Sequence, residues 1–113
     1  MKVVYIAGPY RGLSAWDVAA NVRIAERLAL DVWSLGVAVI CPHANTANFD
    51  RTLPDKVFLD GDLELLARSD ALITTVRWRE SEGAKAEVAF AKARGIPVFH
   101  RPVDLKKWLT AQA

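Results

Sequence analysis

The sequence predicts an α/β protein with one parallel sheet of four or five strands and helices on both faces. Three observations lead there. Short β-branched runs alternate with helix-period stretches four times along the chain. The strand-like runs are apolar throughout, as in strands buried on both faces. The chain is 113 residues long, enough for one core, and shows no linker, repeat or low-complexity segment, so residues 1–113 read as a single domain.

Lys2 to Ala7 is the first strand, ended by Gly8-Pro9. Gly8-Pro9-Tyr10-Arg11-Gly12 is turn chemistry. Ser14 with Asp17 three residues later resembles a capping box and starts a helix that reaches about Leu35 and stops at Gly36. Its stripe is Val18, Val22, Ala25, Ala29 and Val32. Ile24 and Leu28 fall off that stripe, which suggests a second covered face, such as a subunit contact. Val37 to Cys41 is the second strand.

Pro42 to Pro54 reads as a polar loop carrying His43, Asn45, Thr46, Asn48 and Asp50, long enough to be functional. Asp55 to Ser69 is helical, with Gly61 a weak point. Asp62 falls on the apolar stripe of Phe58, Leu65 and Leu66, where a carboxylate needs a partner; alternatively it caps a second helix beginning after Gly61. Ala71 to Val76 is the third strand and Ile96 to Phe99 the fourth. Val103 to Gln112 is a closing helix with Leu105, Trp108 and Leu109 on one side.

Hydrophobic residues make up 52% and charged residues 25%, ordinary for a globular protein. The net charge is +2 and the basic residues are scattered, which argues against a nucleic-acid surface. The single cysteine, Cys41, allows no internal disulfide, fits a reducing compartment and reads as a small buried hydrophobe. The first residues lack signal-peptide form and no apolar run approaches a membrane span, so the expectation is cytoplasmic, without a membrane partner.

Parallel α/β sheets bind ligands beyond the carboxyl ends of their strands. Here those ends are Gly8 to Leu13, Pro42 to Leu53, Arg77 to Gly83 and His100 to Pro102. Asp70 lies at the other end and reads as a turn residue. The Gly8 turn has neither the spacing of a dinucleotide fingerprint nor the Lys-Ser/Thr of a P-loop. His43, His100 and Cys41 match no metal-ligand spacing, and neither metal nor cofactor is expected. The strongest local signal is Ser81-Glu82-Gly83-Ala84-Lys85-Ala86-Glu87. Ser81 is a good N-cap, Gly83 admits close approach, and a helix N-terminus favours an anion such as phosphate. Glu87 lies about one turn on, beside Ala84, Val88 and Ala91, at the edge of the inward face. It could reach a sugar whose phosphate the turn holds, or be an ordinary surface glutamate.

Taken together, Val4 to Gly12, Asp62 with Leu65, Ser81-x-Gly83-x-x-x-Glu87 and Gly95-Ile96-Pro97-Val98 resemble the nucleoside 2-deoxyribosyltransferase superfamily, nearest its 2′-deoxynucleoside 5′-phosphate N-hydrolases. A short bacterial and phage branch is similar in its Gly8-Pro9-Tyr10-Arg11 turn, Cys41-Pro42-His43-x-Asn45-Thr46, and Trp78 with Ser81-x-Gly83-Ala84. The resemblance spans nearly the whole chain. It implies a flavodoxin-like fold, a homo-oligomer (dimer or tetramer), and cleavage or transfer at the N-glycosidic bond of a (deoxy)nucleoside 5′-monophosphate. By matching position it implies Glu87 as nucleophile on C1′, Tyr5 orienting that carboxylate, and Asp62 holding sugar hydroxyls or assisting proton transfer. It implies Ser81, Gly83 and the turn of Gly8, Pro9, Arg11 and Gly12 at the phosphate, with His43 also in the substrate site. Pro9 stands where the hydrolases carry a phosphate-binding serine, and Arg77-Trp78-Arg79-Glu80 is more charged than the usual loop; both bear on the substrate. The alternative is a non-catalytic nucleotide-binding or sensing module of the same fold. A third reading is a structural subunit using Trp16, Trp33 and Trp108 as contacts.

Overall fold

The computed structural model describes every residue except Ala47, Asn48, Asp50, Arg51 and Ala113, so Asn48 and Asp50 lie outside the described residues. Four strands form one sheet: β1 (Val3–Ala7), β2 (Ala38–Ile40), β3 (Ala71–Thr74) and β4 (Val98–Phe99), in the order β2-β1-β3-β4. All three pairings are parallel, as the alternation of elements predicts. The helices are α1 (Ala15–Trp33), α2 (Pro42–Asn45), α3 (Asp55–Ala67), α4 (Glu82–Ala93) and α5 (Pro102–Ala111). The chain leaves β1 for β2 on one side and returns to β3 on the other, so the strand order reverses between β1 and β3.

Side-chain alternation along the strands divides the core in two. Val4, Ile6, Ala71 and Ile73 pack with Ala25, Ala29 and Val32 of α1 and Leu105 of α5. Tyr5, Ala7 and Leu72 pack with Leu66 of α3 and with Val88 and Ala91 of α4 on the other face. Trp108 belongs to the first layer, its ring 5.5 Å from Phe99, rather than to a free contact surface. Leu28 also joins that layer, whereas Ile24, Trp16 and Trp33 remain exposed. Cys41 is half-buried against the same core, and burial pushes its thiol up.

Two helices start where their caps predict. The Ser14 hydroxyl accepts the Asp17 amide at 3.2 Å, and the Ser81 hydroxyl accepts the Ala84 amide at 3.1 Å. Both α1 and α4 are followed by a glycine in the left-handed region, Gly36 at φ 83° and Gly95 at φ 72°.

Three elements depart from the sequence reading. The polar loop begins with a helical turn, α2, because Pro42 suits the first helical position and the Cys41 carbonyl accepts the Ala44 and Asn45 amides at 3.1 and 3.0 Å. α3 runs unbroken through Gly61, which is exposed with open space where a side chain would be, so Asp62 is a mid-helix residue and not a cap. β4 begins at Val98 because the Ile96 amide bonds the Ala91 carbonyl, closing α4, and Pro97 has no amide to donate.

Candidate active site

Tyr5 sits in the middle of β1 and faces the α3/α4 layer, fully buried. Its hydroxyl donates to Oε2 of Glu87, which reaches in from α4. Glu87 is half-buried while Ala84, Val88 and Ala91 beside it are buried, as its position on the helix predicts. Asp62 approaches from α3, half-buried on the stripe of Phe58, Leu65 and Leu66. Among the described residues it makes no hydrogen bond or ion pair. Three acidic groups from three elements therefore meet on one face of the sheet.

Their protonation follows from burial and from one another. Burial pushes the Glu87 carboxyl up to about 7; the Tyr5 hydroxyl opposes that rise, and negative charge on Asp62 adds to it. Burial also lifts Asp62 to about 6. Burial, then the neighbouring Glu87 carboxylate, pushes the Tyr5 hydroxyl far up, so it stays a donor. Between about pH 6 and 7 the pair of carboxyls holds one proton and one negative charge, with the proton more often on Glu87 than on Asp62, so an attacking Glu87 beside a donating Asp62 is the less populated arrangement of the pair.

The Gly8–Gly12 turn is held from three directions. A Cβ on Gly8 would lie 2.4 Å from Oγ1 of Thr75, and a Cβ on Gly12 would lie 2.4 Å from Cβ of Asp17, so packing requires both glycines. Asn21 of α1 donates to the carbonyls of Tyr10 and Arg11, both at 3.1 Å. His43 lies behind the turn, 5% exposed, and its Nε2 is 2.9 Å from the Gly8 carbonyl and 3.0 Å from that of Pro9. With two acceptors as partners, Nε2 carries the proton. His43 therefore holds the turn that the resemblance assigns to substrate. Arg11, assigned to phosphate, is exposed and paired with Asp55 at the start of α3.

At the start of α4, Ser81 takes the Ala84 amide and the Ser81 carbonyl takes the Lys85 amide at 3.0 Å. The amides of Glu82 and Gly83 remain from the set that every helix leaves open. Gly83 is exposed, and a Cβ there would meet only Oγ of Ser81, at 3.8 Å. Nothing in the chain itself demands that glycine. Glu82 points away, paired with Lys85 at 2.8 Å.

Sequence reasoning missed Asn21 and Thr75. The Thr75 side chain is 4% exposed, and its Oγ1 has no partner among the described residues. It lines a cleft of about 20 Å³ with Pro9, Asn21, Ile24, Val76 and Arg77. The available signal was a polar Thr-Thr pair closing an apolar strand run. A groove of about 400 Å³ lies at the amino ends of the strands and includes Lys2, Val37, Asp70 and Leu109. Asp70 there accepts the Val3 amide at 2.7 Å, tying the bend before β3 to the start of β1. Among the described residues that line this groove Asp70 is a lone carboxylate, unlike the Asp62 and Glu87 pair beside Tyr5. His43 and His100 follow β2 and β4, the opposite edges of the sheet, and do not share a site. Among the described residues no group of three or more His, Cys, Asp or Glu is placed to hold a metal ion, and no helix is long and apolar enough to cross a membrane.

A 2-deoxyribosyltransferase from the psychrotolerant bacterium Bacillus psychrosaccharolyticus has a similar structure, with a TM-score of 0.67 at 17% identity over 85% of this chain and 69% of that one. A conserved protein from Enterococcus faecalis V583 is similar with a TM-score of 0.62 at 27% identity, over 87% of this chain and 61% of that one. These likenesses support the nucleoside deoxyribosyltransferase-like α/β fold. No curated protein matches the chain. The model of a family described as Domain of unknown function (DUF7768) matches residues 2–101, and the chain belongs to that family.

Proposed function

We propose that the protein cleaves the N-glycosidic bond of a (deoxy)nucleoside 5′-monophosphate, with Glu87 as nucleophile. The observation that carries this reading is the buried Tyr5 hydroxyl donating to Glu87, with Asp62 alongside. Ionised Glu87 attacks C1′ as the bond to the base breaks; positive charge developing on the sugar ring is stabilised by the carboxylate and then trapped as an ester. In the less populated arrangement of the pair, with the charge on Glu87 and the proton on Asp62, Asp62 gives that proton to the departing base. Water then cleaves the ester, or a second base accepts the sugar. A deoxyribose, lacking the electron-withdrawing 2′-hydroxyl, is the easier substrate. The phosphate lies against the open amides of Glu82 and Gly83 and the hydroxyl of Ser81, facing the Gly8–Gly12 turn. The similar fold of a 2-deoxyribosyltransferase supports this reading. The working protein in this reading is a cytoplasmic homo-oligomer, a dimer or tetramer.

A panel of ribo- and deoxyribonucleoside 5′-monophosphates, assayed for free base, tests the proposal. Release of base from at least one deoxyribonucleotide is the expected result. Binding across the panel without any base released would instead support the non-catalytic module.

Asp62→Asn should act in two ways. Removing a general acid should lower the maximal rate by about 100-fold. Removing its negative charge should also let the Glu87 pKa fall, moving the rising limb of the pH–rate profile to lower pH. A limb that stays in place, or moves to higher pH, would disconnect the two carboxyls.

A further inference from the structure

A one-turn 3-10 helix, Trp78–Glu80, leads directly into Ser81, and its side chains are tied to the sheet. Thr74, the last residue of β3, is 2% exposed, and its hydroxyl lies 2.7 Å from Nδ1 of His100. The Trp78 ring stacks on the His100 ring, with centroids 5.1 Å and planes 11° apart. The Arg79 guanidinium then sits 5.0 Å from the centre of the Trp78 ring. Trp78 itself is half-buried against the layer that contains Tyr5, Leu72 and Val88. A buried threonine, an imidazole, an indole and a guanidinium thus form one connected series. Each contact restricts the next group, and the last restricts a side chain that would otherwise sample many rotamers.

Among the basic residues within four positions of Ser81, the charge pattern singles out the same one. Arg77 is neutralised by Glu80 within its own turn, and Arg101 by Asp104 at 2.8 Å. Arg11 is paired with Asp55, and Lys85 with Glu82. Arg79 has no carboxylate partner among the described residues. It stands two residues before Ser81, the residue that caps α4. A cation that is pre-positioned and not neutralised loses little freedom and displaces no ion pair when an anion arrives. Its planar fork suits two oxygens of a phosphate.

We propose that Arg79, held ready by the Thr74–His100–Trp78 series, is the cation that receives the substrate's phosphate and makes the site prefer nucleotides over nucleosides. The proposal rests on the reading of the α4 turn as the phosphate end of the site, and does not require turnover. His100 and Trp78 are positioning residues in it, and Arg11 serves the fold through Asp55.

Calorimetry of the full chain with the four 2′-deoxynucleoside 5′-monophosphates and their parent nucleosides tests it. Arg79→Gln should weaken monophosphate binding at least tenfold and leave nucleoside binding within twofold. Arg79→Lys should recover part of the loss, since charge returns without the fork. His100→Ala should show a smaller loss, again confined to monophosphates; Trp78→Leu should do the same, and if that variant fails to fold, His100→Ala carries the test. Lys106→Gln, which removes one positive charge from the exposed side of α5, should change neither. Equal losses for nucleotide and nucleoside in Arg79→Gln, no loss at all, or a phosphate-specific loss in Arg11→Gln in its place would overturn the proposal. Wild-type protein that binds monophosphates but releases no base would remove the enzymatic reading and leave this one standing. Failure of the wild type to bind any monophosphate would remove both.

Discussion

Replacing Glu87 with Gln is expected to lower turnover at least ~100-fold while nucleotide binding survives, because the lost interaction belongs to the transition state. The glutamine keeps the shape of the side chain, and its carbonyl oxygen can still accept from Tyr5. What disappears is the negative charge that meets C1′ as the base departs, and with it the means of forming the ester. Binding should persist because the proposed mechanism puts the ligand's anionic end at α4's first turn, a helical turn away from residue 87; it should improve slightly if the carboxylate repels phosphate. In the wild type the rate should pass through a maximum between about pH 6 and 7, since Glu87 must lose its proton while Asp62 keeps one, and residual activity of the variant should not show that bell. Glu82→Gln is the matched comparison: Glu82 is exposed, paired only with Lys85, and on the far side of the helix. Single-turnover release of base from the best substrate of the panel is the measurement. If both variants keep wild-type turnover, the carboxylate assignment fails and the non-catalytic module becomes the better reading.

The fold was legible because its determinants are local and periodic. The β-branched runs and the Ser14 and Ser81 caps state the strands, the helix starts and the direction of each connection. Parallel order then follows from the helix that intervenes between each strand and the next, and the position of Glu87 at the edge of α4's inward face follows from helical spacing alone. What could not be read depends on contacts distant in sequence. Asp62 had two local readings, and only packing of α3 against the sheet, with Leu66 buried, selects the mid-helix one. His43 was known to lie at the ligand end, but no spacing reveals that its ring bonds carbonyls 34 and 35 residues earlier. The pairing of Arg11 with Asp55 spans 44 residues and changes which arginine is free to meet an anion. Thr75 was hidden for the opposite reason: its hydroxyl has no partner among the described residues, and an absence leaves no pattern in a sequence.

The same Glu87→Gln substitution is expected to stabilise the fold at high pH. In the unfolded chain Glu87 titrates near its ordinary value of 4.5, and in the folded chain at about 7. Between those values the folded protein holds a proton that the unfolded chain has released, so stability falls as pH rises through this window. Below pH 4.5 the carboxyl is neutral in both states and imposes no penalty. Above pH 7 the whole cost of keeping a charge half-buried beside Asp62 is present, and a shift of this size corresponds to at most about 3 kcal/mol. Water reaching the open side of the residue reduces that to about 2 kcal/mol. Glutamine never ionises, so the variant should melt roughly 5–10 °C above the wild type at pH 8 and within about 2 °C of it at pH 4.5. Asp62, raised from 3.8 to about 6, adds a cost of the same sign to both proteins, and both should lose stability as pH rises through 4 to 6. A gap in melting temperature that is the same at both pH values would mean that packing, not charge, distinguishes the variants. A gap that favours the wild type at pH 8 would mean that ionised Glu87 is net stabilising and that Tyr5 outweighs its burial. A gap confined to high pH, alongside lost turnover, would show a carboxylate kept against the stability of the fold, as a catalytic role demands and a structural one does not.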